Sequence, residues 1–139
     1  MFNKNILIST IVVFVTMMVF GFLVFGMALQ DFYMANIGDI VIRKEGEELM
    51  EWLVIAQLIM AYAVVWIWSH DVKGEGLMEG LRFGFFIGLF LGATEMIFYA
   101  FMPGSQSIMI VNFLADVVMM MVAGAVLSMV WGMLTKPSA

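Results

Sequence analysis

The chain has no cysteine, a single histidine and only six lysines and arginines among its 139 residues. Without cysteine there is no disulfide, no thiolate metal site, no redox dithiol and no cysteine nucleophile. One histidine leaves no second imidazole to act as a base or complete a metal site. The six basic residues form no patch, so nucleic acid is not an expected partner. His-Glu-x-x-His, a nucleophile elbow and a phosphate loop are all missing, which removes the commonest hydrolase and nucleotide-binding chemistries. The chain reads as a non-enzyme. An aspartyl-type hydrolase built on two acids is the one enzymatic arrangement its residues could mimic.

Apolar sequence fills the space those absences leave. Sixty-four per cent of residues are hydrophobic and 12% charged, with a mean hydropathy of +1.06. That composition excludes a soluble domain and marks an integral membrane protein. Four apolar segments, about 6–29, 49–69, 81–102 and 108–134, each reach the ~20 residues a spanning helix needs. None alternates as a barrel strand does, and backbone in hydrocarbon must satisfy its own hydrogen bonds. The expected fold is all-α: one domain over 1–139, four transmembrane helices in an antiparallel bundle. The first segment is longer than a signal-peptide core and lacks a convincing small-residue cleavage site, so it is read as a retained anchor.

Orientation follows the basic residues. Lys4, Lys73, Arg82 and Lys136 fall on one side and Arg43 and Lys44 on the other, which favours both termini in the cytoplasm, with dual or inverted topology the alternative; the expected setting is a bacterial inner membrane. The opposite side is acidic, with Asp31, Asp39, Glu45, Glu47, Glu48 and Glu51 around a connector from about 30 to 50. Within it, Ile37 to Arg43 alternates like a short extended segment. Trp66, Trp68 and Trp131 suit one interfacial belt, and Trp52 with Tyr33 the other. His70 ends the second helix, where it favours the helix dipole. It has no second ligand or attachment motif with which to hold a tetrapyrrole, and the cofactor is unknown.

Two patterns stand out within the helices. Gly80, Gly84, Gly88 and Gly92 recur every four residues and make a groove for close helix approach. Gly124, Ser128 and Gly132 repeat the spacing on the last helix and offer a partner within the chain; a helix from another subunit is the alternative. Glu95 and Asp116 are isolated carboxylates inside apolar segments, where an ionised group costs at least ~2.5 kcal/mol on insertion scales. Counting ~1.5 Å per residue, both lie roughly 10 to 12 Å below the outer helix ends, in one layer that Gln57 also reaches. Asn112 and Tyr99 lie one turn above Asp116 and Glu95, on shared helix faces. These five form the candidate polar cluster. Two acids there can share a proton, hold a cation through oxygen ligands, or meet a partner's base. Sixteen methionines, among them Met17, Met18 and Met119 to Met121, are flexible filler that suits adaptable contact faces.

The stretch from Gly80 to Gly132, with its glycine-spaced helix, short Pro-Gly turn, Asn112, Asp116 and late glycines, resembles small four-helix bacterial integral membrane families of unknown function. The region from Gly21 to Tyr33 is similar as well. The resemblance implies a four-helix fold and carries over no catalytic residue. Two functions fit the residues: an accessory subunit that packs through its glycine face and buried acids against itself, lipid or a larger membrane complex, or a small oligomeric proton or cation conductor using Glu95 and Asp116.

Overall fold

A computed structural model describes residues 3–38, 43, 44, 46–71 and 76–137. Among them every regular element is a helix, and the α-helices are α1 (Lys4–Leu23), α2 (Gln30–Asn36), α3 (Met50–Asp71), α4 (Leu77–Phe101) and α5 (Gln106–Thr135). Four stretches are long and apolar enough to cross a membrane: Lys4–Ala28, Met50–Asp71, Leu77–Phe101 and Gln106–Thr135. Positions 39–42 of the alternating Ile37 to Arg43 segment lie outside the described residues, as do Lys73 and Glu45.

Local chemistry sets the helix ends. Asn3 caps α1, its side chain accepting the Ile6 N–H at 2.9 Å, which satisfies one of the orphan donors of a first turn. Gly76 precedes α4 at φ +94°, a conformation that costs a residue with a Cβ more than it costs glycine. Pro103 follows the end of α4, and Pro137 holds Lys136 in the extended region at the end of α5. Leading turns of α4 carry Glu79 and Arg82, an i,i+3 pair at 4.0 Å. For that reason α4 begins earlier than its apolar sequence alone indicates.

α1 does not end cleanly at Leu23. It widens into a π turn over Val24–Ala28, with the Leu29 N–H donating to the Val24 carbonyl at 2.8 Å. Single π turns of this kind are found mostly inside α-helices, and here the turn leads through Leu29 into α2. The connector expected between the first two spans is therefore helical in its leading part.

The core sits where α1, α3 and α5 meet. Val13, Met17, Ala61, Val65, Met120, Ala123 and Leu127 are fully buried there, and Phe83, Ile87 and Leu91 of α4 pack against them. At this end Trp68 of α3 meets Phe83 edge-on, ring centroids 5.2 Å apart. α3 leans chiefly on α1, while α4 leans chiefly on α5. Outward faces are strongly apolar, with Phe90 74% and Phe101 86% exposed. Water would penalise such surfaces by roughly 25 cal/mol per Å²; lipid would not.

Candidate functional site

Close approach of α4 to α5 positions the site. Gly80, Gly84, Gly88 and Gly92 are all buried. A Cβ at Gly80 would strike the Gly124 carbonyl oxygen, one at Gly84 the Met120 carbonyl oxygen, and one at Gly88 would stand 2.6 Å from the Val117 Cα. At Gly92 it would meet the Phe113 ring at 2.8 Å. Numbers rising along α4 meet numbers falling along α5. Gly124 and Ser128 both face Gly80, but Gly132 has nothing within 4 Å of where its Cβ would be. The reason is register: the pairing of the two helices ends at the first turns of α4, which begins at Leu77, before it reaches Gly132. The groove is filled by this chain's own helix, so it is not free to receive another.

The same register corrects the depth of the acids. With 88 beside 117 and 92 beside 113, Asp116 sits about six residues, or ~9 Å, deeper than Glu95 along the paired helices. Side chains lean toward the N-terminus of their own helix. Glu95 therefore leans down and Asp116 leans up, toward each other. Each lies within electrostatic reach of the other and of Tyr33.

Asn112 holds the centre. Its amide nitrogen donates to Glu95 Oε2 at 3.1 Å, and its amide oxygen accepts a hydrogen bond from the Tyr33 hydroxyl. The two contacts together fix which way the amide points. Among the described residues Glu95 has no other hydrogen-bond donor and no basic partner; the one ion pair is Arg82 with Glu79. Oε1 of Glu95 is thus left open.

Tyr33 is the member that its sequence position assigns elsewhere, to an interfacial belt. It lies on α2, half-buried, its ring edge-on to Phe25 and Phe32 with centroids 5.9 Å away in each case. Burial, and then the charges of Glu95 and Asp116, push its phenol up to about 12. At ordinary pH it is a fixed donor.

The other two expected members stand apart from this chain of hydrogen bonds. Gln57 lies on α3, which packs chiefly on α1, and its buried Oε1 has no hydrogen-bond partner among the described residues. Tyr99 is 40% exposed and lines a cavity instead. This cavity, of about 150 Å³, opens between the C-terminal end of α4 and the N-terminal end of α5. Glu95 and Asn112 form its polar part, Phe98, Tyr99, Ile108 and Met109 its walls, and Pro103 to Ser105 its rim.

No protein-family model, curated protein or solved structure matches this chain. The residues alone carry its reading.

At the opposite end of the molecule, two hydroxyls that no sequence motif marks are buried. Ser9 is 0% and Thr10 5% exposed, and neither hydroxyl oxygen has a hydrogen-bond partner among the described residues. Thr16, Thr94 and Ser128 by contrast donate to carbonyls of their own helices at 2.6 to 2.8 Å. His70 closes α3, stacked on Trp66 with ring centroids 4.2 Å apart and Nδ1 2.9 Å from the Trp66 carbonyl.

Proposed function

We propose that this chain is a non-enzymatic integral membrane protein, an accessory or interaction subunit that engages a positively charged group through the acids in the outer half of its bundle. In this reading the four spans form an antiparallel bundle in a bacterial inner membrane, with both termini cytoplasmic, and the acids face a partner subunit or a second copy within the membrane. The carrying observation is Glu95: a half-buried carboxylate, oriented by a neutral amide, with no base of its own among the described residues. An uncompensated acid at such depth is expensive, and a cationic counterpart supplies the compensation. Because α5 fills the glycine groove, docking uses the acids and the exposed apolar faces instead.

A photo-crosslinking side chain at position 99, one turn from Glu95, tests this in native membranes. One discrete adduct that disappears in Glu95→Gln supports docking at the acids. An adduct pattern unchanged by Glu95→Gln contradicts it.

Conduction of protons or cations is the second reading, and Ser9 with Thr10 is what favours it, since buried hydroxyls can extend a polar route inward. Against it, fully buried Val13, Met17 and Met120 fill the core outward of those hydroxyls.

A further inference from the structure

The cavity between the C-terminal end of α4 and the N-terminal end of α5 has a composition of its own. Its polar part is Glu95 and Asn112; its walls are two aromatic rings, Phe98 and Tyr99, with Ile108 and Met109 opposite. A carboxylate at one end of an apolar cleft selects for a ligand that is cationic at one end and apolar along its body.

We propose that this cleft binds a small lipophilic primary ammonium ion, its nitrogen on Glu95 and its apolar body between the Phe98 and Tyr99 side and the Met109 side. The inference rests on reading the acid site as one that receives positive charge, and it names the class of free ligand the site takes.

Three observations converge on that class. First, acceptor capacity is available: Oε1 of Glu95 has no donor among the described residues, and Asn112 Oδ1, having accepted from Tyr33, keeps a second lone pair. Asn112 donates its amide hydrogen to the other carboxylate oxygen, so Glu95 is held in orientation before a ligand arrives. Second, the space matches a small body. The cleft is partly open, and its volume of about 150 Å³ seats a benzene-sized body, so a ligand of on the order of eight heavy atoms fills it, whereas a larger partner reaches it only with a side chain. Third, the walls discriminate against bare metal ions. Hard cations require six or more oxygens, and no group of three His, Asp or Glu side chains converges among the described residues. A metal would leave the aromatic walls idle, whereas an organic ammonium gains from them by apolar burial and by attraction to the ring faces. Net charge of -5 draws cations generally toward the protein.

The full chain in lipid nanodiscs is titrated with 4-fluorobenzylammonium and, separately, with the neutral isostere 4-fluorobenzyl alcohol, followed by fluorine NMR. The expected result is saturable binding of the ammonium at one site per chain, about tenfold tighter than the alcohol. Glu95→Gln abolishes that preference. Met109→Trp, which fills the cleft and leaves the carboxylate in place, abolishes binding of both; helicity and thermal unfolding of each variant establish that it is folded. Equal affinity for the two probes, full ammonium affinity in Glu95→Gln, or no saturable binding to the unmodified chain overturns the proposal. A Glu95-dependent crosslink in native membranes alongside failure here leaves partner docking standing and removes the free ligand. Ammonium binding without such a crosslink does the reverse.

Discussion

Tyr33 and Asn112 stand 79 positions apart, and the phenol of one donates to the amide oxygen of the other. The contact joins the short helix α2 to the last span and, through the Asn112 amide, to Glu95 on a third element. A chain of donors thus runs from a residue outside the spans to a carboxylate inside one. Between α1 and α2 lies the π turn at Val24–Ala28, which leads the chain into the helix that carries Tyr33.

Removing the Tyr33 hydroxyl leaves Asn112 Oδ1 half-buried without its donor. Tyr33→Phe should lower stability by about 1 kcal/mol, the usual worth of one partly buried hydrogen bond. Asn112→Leu should cost more, because it also strips the only described donor from Glu95. Thermal unfolding of both variants in one detergent gives the ranking.

The raised Tyr33 value has a definite sign in pH. In the unfolded chain the phenol ionises near its ordinary 10.0, and in the folded protein near 12. Between those values the folded state holds the proton that the unfolded state has released. Stability from this group is complete below pH 10 and is lost as pH rises toward 12. Spectrophotometric titration should show a tyrosinate step near pH 12 that is absent in Tyr33→Phe.

Glycines on α1, α4 and α5 divide sharply by what surrounds them. Gly84→Val forces a branched side chain into the Met120 carbonyl and must push the two helices apart, a cost of at least ~1 to 3 kcal/mol by analogy with overpacked cores. Gly132→Ala and Gly21→Ala meet open space and should be neutral or stabilising by up to ~1 kcal/mol, the helix preference of alanine over glycine. Comparing their unfolding temperatures in one detergent checks the contrast.

Reconstituted into liposomes, the chain should pass neither protons nor small cations above the empty-vesicle background under an imposed gradient. The buried Val13, Met17 and Met120 leave Ser9 and Thr10 disconnected from Glu95. A flux abolished by Glu95→Gln would favour conduction.

The four long apolar helices are legible in the sequence because length and apolarity are local properties, and each helix builds its own hydrogen bonds. The glycine row is legible for the same local reason, since a four-residue repeat marks one helix face without reference to any other. Gln57 shows where counting stops: residues per turn give height along a helix but not which neighbour the helix faces, and α3 faces α1. Depth also slips, because α5 begins at Gln106 and α4 ends at Phe101, and those few residues set Asp116 below Glu95. Tyr33 is beyond the reach of counting altogether. Its role comes from a turn geometry and a contact across most of the chain, neither of which leaves a periodic trace.

The most direct test of the acid site as a docking point is native mass spectrometry of the protein gently extracted from its own membrane, run in parallel on Glu95→Gln. The account predicts a complex of defined stoichiometry, with a partner chain or a second copy, that falls to the bare chain in the variant. A bare chain in both, or a complex of the same mass in both, would contradict it.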